Sequence, residues 1–245
     1  MIKEALQYII GLSQPRTEEI YGETYYFHNG IPMLVDGCRS CEPLEISTLT
    51  SLVDYIKERM AYDFNGTGGL PQMIVHVESE TEVRLVTAFN DDMARWELAK
   101  VKARVPAIVL NKFLDQESFI IQMQSMFQNT EDKAIVMQVA GNVEDKTVMN
   151  YGDDGITQKA TVKTGLASVE DVFVPNPVKL QPFRTFHEVE QPEIDFVFRM
   201  KNGSSGVSCA LFEADGGAWK FRAVHSIADY LKKELEGVGN IAVLS

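Results

Sequence analysis

Cysteine is scarce in this chain, at 3 of 245 residues, and its 4 histidines are scattered. A structural zinc site takes four nitrogen or sulfur ligands, usually as two pairs. Only one pair exists, Cys38 and Cys41 in "DGCRSCEP" (Asp36 to Pro43). Cys209 lies far along the chain in an apparent strand. His28, His76, His187 and His225 are isolated, none at metal-ligand spacing. A redox C-x-x-C opens a helix whose N-terminus lowers the thiol pKa. Here Glu42 and Pro43 follow instead, and the next helix starts near Ser47. Zinc and redox use are the rival readings; the residues favour a loop with two ordinary thiols. So low and odd a cysteine count suits a reducing cytoplasm rather than a disulfide scaffold.

Long apolar runs are missing too. No stretch of about eighteen apolar residues occurs, so no membrane span is expected. The opening "MIKEALQYIIGLSQP" is interrupted by Glu4 and Gln7 and carries no small-residue cleavage site, which argues against a signal peptide. It reads as an amphipathic helix built on Ile2, Ala5, Leu6, Ile9 and Ile10, stopped by Gly11 and Pro15.

Positive charge is in deficit: 23 Lys and Arg stand against 35 Asp and Glu, for a net charge of −12. Phosphate neutralisation supplies most non-specific nucleic-acid affinity, so this balance opposes a general DNA- or RNA-binding role. Nucleotide motifs are absent as well. There is no G-x-x-x-x-G-K-[ST] cradle, no G-x-G-x-x-G after a strand, and no G-x-S-x-G elbow. "HEVEQPE" (His187 to Glu193) starts like a metalloprotease signature but lacks the second histidine, and Pro192 precludes the helix that signature needs.

What is present is an ordinary globular composition, 45% hydrophobic and 24% charged, in a chain long enough to bury about three quarters of its unfolded surface. "IYGETYYFHNG" predicts an aromatic hairpin turning near Gly22-Glu23. "STLTSLVDYIKERMAYDF" predicts a helix with Leu49, Leu52, Val53, Ile56 and Met60 on one face and Ser47 or Thr48 as cap. "MIVHVESETEVRLVTAF" reads strand-turn-strand. In "RWELAKVKARVP", Ala99, Val101, Ala103 and Val105 alternate with Lys100, Lys102 and Arg104, as in a strand.

Two helices follow, "LDQESFIIQMQSMFQ" capped by Asp115, with Leu114 stapled onto Phe119, and "TEDKAIVMQVAGNVED" capped by Thr130. From about Lys159 the pattern turns to β: "QKATVKTG", "PVKLQPFRTF", "IDFVFRMKNG", "GVSCALFEADGG" and "AWKFRAV" read as strands, with hairpin turns at Asn202 to Gly206 and Asp215-Gly216-Gly217. A last helix capped by Ser226 buries Ile227, Tyr230, Leu231 and Leu235 and stops at Gly237, and "NIAVLS" returns as a closing strand.

The expected fold class is α+β: an antiparallel β-rich C-terminal half, a helical middle segment and a mixed N-terminal lobe. The parts fall at 1–106, 107–150 and 151–245, read as one compact unit rather than independent domains.

No catalytic constellation emerges, and no metal or cofactor set is expected. The face Lys100, Lys102, Arg104 is the best candidate for nucleic acid or phosphate; the alternative is a solvated outer face. Asp153 and Asp154 in "YGDDG" could hold magnesium, but a polar turn explains them as well. The acidic set Glu188, Glu190, Glu193 and Asp195 is a candidate for a cation or a basic partner, or an acidic surface.

"GDDGITQKATVKTG", "PFRTFHEVEQPEIDFVFRMKNG" and "ALFEADGGAWK" resemble uncharacterised proteins of temperate phages and prophages, distantly the YfdQ-like prophage family. The resemblance runs over most of the chain and is tightest from Tyr151 to Lys220. It implies a viral protein made in the cytoplasm of a bacterial host, with Arg184 or Arg199 paired to the acidic cluster. It brings no activity and no catalytic residues. The expectation is therefore a non-enzymatic protein that self-assembles into a homo-oligomer. The alternatives are an accessory DNA-binding factor in phage replication or recombination, and a counter-defence protein that sequesters a host protein or a nucleotide.

Overall fold

A computed structural model describes residues 17–20, 23–28, 31–34, 42–59, 72–89, 93–142, 158–163, 169–203 and 206–245. The expected opening helix, Cys38, Cys41, Asp153 and Asp154 lie outside the described residues. The chain divides into two compact units, Met1–Glu42 and Pro43–Ser245. The divisions anticipated at 106 and 150 fall inside the second unit.

The first unit carries a three-stranded antiparallel sheet, β1 (Thr17–Ile20), β2 (Glu23–His28) and β3 (Ile31–Leu34), in that order. The predicted hairpin is the β1–β2 pair, closed by Ile20 opposite Glu23.

The second unit is α+β and has two hydrophobic cores. The first lies under a five-stranded mixed sheet of β4 (Leu44–Ile46), β5 (Met73–Val77), β6 (Glu82–Thr87), β7 (Glu97–Lys102) and β14 (Ile241–Leu244), ordered β14-β5-β6-β7-β4. β5, β6 and β7 form an antiparallel meander; β4 joins β7 and β14 joins β5 in parallel. Period-two alternation decides the inner face: Met73, Val75, Val77, Val83, Leu85, Ala99 and Val101 are buried. The Ser79 hydroxyl accepts the Thr81 and Glu82 amides at 3.2 and 3.1 Å and so fixes the β5–β6 turn. Against this face packs α1 (Leu49–Asp54), continued by a π-helical turn at Tyr55–Arg59. Thr48 caps it, accepting the Ser51 amide at 3.2 Å.

The second core lies under an antiparallel sheet ordered β11-β12-β13-β8: β11 (Val178–Leu180), β12 (Ile194–Gly203), β13 (Gly206–Glu213) and β8 (Leu114–Asp115). Ile194, Phe196 and Phe198 of β12 and Val207, Cys209 and Leu211 of β13 point inward. Onto them pack α2 (Gln116–Met126) and α3 (Glu131–Asn142), through Phe119, Met123, Phe127, Val136 and Val139. Asp115 and Thr130 cap these helices as predicted, accepting the Ser118 and Lys133 amides. Leu114 also stands opposite Cys209 in β8, and its side chain packs against the core that holds Phe119. A hairpin of β9 (Gln158–Lys163) and β10 (Val169–Val174) lies against α3.

Helix α4 (Ala218–Glu234) belongs to both cores. Trp219 and Ala223 sit in the second core; Ile227, Ala228, Leu231 and Leu235 sit in the first. Positions 219, 223, 227, 231 and 235 form a ridge at four-residue spacing. A helix has 3.6 residues per turn, so each step advances about 40° and the whole ridge turns by roughly 160°. One end of the ridge therefore faces a different direction from the other, and each end meets its own sheet.

This helix corrects two sequence expectations. "AWKFRAV" is its first two turns, not a strand, and Ser226 lies inside it rather than at its cap. Trp219, Phe221 and Ala223 mimic strand alternation, but Phe221 is 71% exposed and burial follows the four-residue ridge, joined by Ala228. The start is fixed instead by Asp215, whose carboxylate accepts the Gly217 and Trp219 amides at 3.0 Å each.

The loop between β11 and β12 supplies a second tie. Only Val178–Leu180 of the expected strand "PVKLQPFRTF" is β, with Pro182 in an isolated bridge to Phe127. Beyond it the chain crosses to the first core and buries Phe186 and Val189 there. The Thr185 hydroxyl donates to the Glu80 carbonyl at 2.6 Å, and Glu188 accepts the Thr50 amide of α1 at 3.2 Å. Gln191, 2% exposed, holds the loop shut. It accepts the Arg184 and Thr185 amides at 2.9 and 3.2 Å and donates to the Phe186 and Val189 carbonyls at 2.9 and 3.4 Å. "HEVEQPE" is thus a clasp between cores.

Two consequences can be measured by chemical denaturation. Ile227→Ala should cost about 3 kcal/mol, as a large-to-small change in a core, whereas Phe221→Ala should stay within about 0.5 kcal/mol, as a surface change. Gln191→Leu should cost about 3 kcal/mol, because it strands the Arg184 and Thr185 amides and the Val189 carbonyl without partners, and proteolysis should then begin within 181–193.

Candidate functional site

Alternation along β7 sends Ala99, Val101 and Ala103 into the core and leaves Lys100 half-buried and Lys102 exposed on the opposite face. Arg104 follows two residues beyond the strand end, also exposed. All three line one groove of about 510 Å³, together with Glu45, Ile46 and Ser47 of the β4 segment. Register explains the meeting: Glu45 on β4 and Arg84 on β6 stand either side of Lys100, and Glu82 stands opposite Lys102.

The cations are not equivalent. Lys102 is bound to Glu82 at 3.1 Å. The Lys102 hydrogen bond, joined by the charges of Lys100, Lys102 and Arg84, holds the Glu82 carboxyl below the usual carboxylate range. Arg84 is taken by Glu78 at 2.6 Å, with Glu97 at 3.6 Å. No carboxylate among the described residues lies within ion-pair distance of Lys100 or Arg104.

A second groove, of about 480 Å³, lies beside the start of α4 and includes Lys179, Glu190, Glu193, Asp195, Asp215 and Arg222. It gathers most of the acidic cluster, and two of its carboxylates, Glu193 and Asp215, are tied to cations. Lys179 holds Glu193 at 3.1 Å, and Arg222 reaches Asp215 at 3.3 Å and the Glu193 carbonyl at 2.7 Å. Arg184, one expected partner of this cluster, pairs with Glu213 instead and stacks over the Trp219 ring at 4.6 Å. Glu188 faces away, on α1. Among the described residues no three His, Cys, Asp or Glu side chains converge to hold a metal ion.

Cys209 is fully buried in the second core, and desolvation pushes its thiol up to about 12. It is a packing residue.

The remaining feature is an edge. β14 pairs with β5 on one side only; no described strand covers its other side. Met73 donates to the Asn240 carbonyl at 2.8 Å. Bonding residues alternate in a parallel ladder, so Ala242 and Leu244 face β5, and Ile241 and Val243 turn their N–H and C=O groups to the open side. The strand, Ile-Ala-Val-Leu, has neither charge nor proline, the usual guards of an edge. Leu244 is 51% exposed. The sequence reading foresaw this strand but not its place: only the pairing with β5, some 170 residues away in the chain, makes it an edge.

Comparison with known proteins brings no relative to bear: the chain matches no protein-family model, no curated protein and no solved structure. Among the described residues no helix is long and apolar enough to cross a membrane.

In a Cys38→Ser/Cys41→Ser variant, the remaining thiol should resist a disulfide reagent at pH 8 while the protein is folded and react fully once it is denatured. Fast reaction in the native state would contradict the packing described for Cys209.

Proposed function

We propose that this is a non-enzymatic protein that self-assembles into a homo-oligomer, with β14 as the joining surface. The observation that carries the reading is the unguarded edge: two outward N–H and two outward C=O groups on an uncharged strand, continuous with a five-stranded sheet. Unpaired strand edges recruit further strands, and the partner with a matching strand always at hand is a second copy. Two β14 strands meeting antiparallel about a two-fold axis would extend the sheet from five strands to ten. The resemblance of "GDDGITQKATVKTG" and "PFRTFHEVEQPEIDFVFRMKNG" to phage and prophage proteins supports placing this assembly in a virus-infected or lysogenic bacterium.

Light scattering coupled to size exclusion on the untagged protein should give a discrete oligomer at micromolar concentration. Val243→Pro removes one outward N–H and leaves the β5 ladder intact; it should shift the protein to a smaller species. Leu244→Lys, which adds an edge charge at an exposed position, should do the same. A wild-type monomer at 100 µM, or an oligomer that both variants leave unchanged, would refute assembly through β14.

A further inference from the structure

The groove on β4 and β7 plays no part in assembly through β14, which lies at the opposite edge of the same sheet. Its chemistry is distinct. Lys100, Lys102 and Arg104 stand two residues apart, so successive cations are spaced by about 7 Å along an extended chain. Held extended, the three match a row of anionic groups better than a single phosphate. The matching ligand carries separate anionic groups in a row. Beside them, on the neighbouring strand segment, the groove includes Glu45, directly across from Lys100, and Ser47. Both accept hydrogen bonds from hydroxyls, and a carboxylate repels a ligand that is anionic throughout. A row of anionic groups flanked by hydroxyls is what a sugar-phosphate chain presents.

Size and field restrict it further. A volume of about 510 Å³ falls in the small-molecule range of roughly 300–1,000 Å³. The net charge of −12 opposes the approach of a long polyanion, while a ligand with two or three phosphates suffers far less of that repulsion.

We propose that this groove binds a short sugar-phosphate ligand, an oligonucleotide of a few units, with its phosphates on Lys100, Lys102 and Arg104 and its sugar hydroxyls toward Glu45 and Ser47. Lys102 reaches its phosphate by sharing its ammonium with Glu82. Arg104 and Lys100, with no such tie, carry most of the discrimination.

The test is fluorescence anisotropy with end-labelled ribo-oligonucleotides of 4 and 30 nucleotides and a 30-base-pair duplex, on the full chain. The tetranucleotide should bind saturably. Each phosphate contact to a single strand contributes a slope of roughly −0.7 in log K against log salt, so three contacts give about −2. Arg104→Ala, at an exposed position, should weaken binding several-fold. Lys100→Gln with Arg104→Gln should weaken it at least tenfold, and Lys232→Gln, on α4, should leave it unchanged. Ribose over deoxyribose should be preferred, and Glu45→Gln should reduce that preference. The absence of saturable tetranucleotide binding, or binding indifferent to the Lys100 and Arg104 changes, would overturn the assignment. So would a 30-mer or duplex that binds more than about a hundredfold tighter than the tetranucleotide, well beyond the roughly 27-fold gain that overlapping four-nucleotide registers give, because the groove would then serve a polymer.

Discussion

One helix holds the second unit together. α4 is amphipathic in an uncommon way: its buried ridge winds around the axis, so Trp219 and Ala223 fill one core while Ile227, Leu231 and Leu235 fill the other. Each of these residues removes apolar surface from water, worth about 1.5–3 kcal/mol for a large side chain. A shift of the helix to improve one core would spoil the other, because close-packed interiors tolerate little displacement. The two sheets are therefore fixed relative to one another through α4, and the Phe186–Val189 clasp repeats the constraint from the opposite direction in sequence.

That constraint also places the two surfaces proposed above. Leaving α4, the chain turns at Gly237, with φ of 82°, and returns as β14 alongside β5. Met73 on β5 is buried against the core that α4 fills. The edge strand is thus held in register by a helix whose other end is anchored in the second core. The same sheet carries the cationic groove at its far side, where β4 and β7 run parallel. Edge and groove are separate features of one rigid sheet, and neither requires a catalytic group.

Much of the fold was legible because local signals agreed with tertiary ones. Strict alternation predicted β5, β6 and β7 and put Lys100, Lys102 and Arg104 on one face. The caps Asp115 and Thr130 were read correctly from type and position, and Thr48 is one of the two residues, with Ser47, that the sequence offered for its helix. The failures occurred where local and tertiary signals diverged. Trp219-Lys220-Phe221-Arg222-Ala223 alternates like a strand, and Asp215-Gly216-Gly217 has the composition of a hairpin turn. Only the distant packing of Trp219 and the Asp215 carboxylate on the helix N-terminus decide for a helix. Likewise "HEVEQPE" invited a search for ligands, while its burial of Val189 and Gln191 shows a clasp. The groove was half legible: the cations follow from strand period, but Glu45 and Ser47 join them only through the parallel pairing of β4 with β7.

The most direct measurement is residue-resolved amide hydrogen exchange on β14 at low and high protein concentration. Opening free energies differ along a strand according to which amides are bonded. Ala242 and Leu244 are expected to be protected at both concentrations, since they face β5. Ile241 and Val243 are expected to exchange quickly when dilute and to become protected as the protein concentrates and the edge is covered. Ile241 and Val243 amides that remain unprotected at every concentration would contradict the claim that β14 joins one copy to the next.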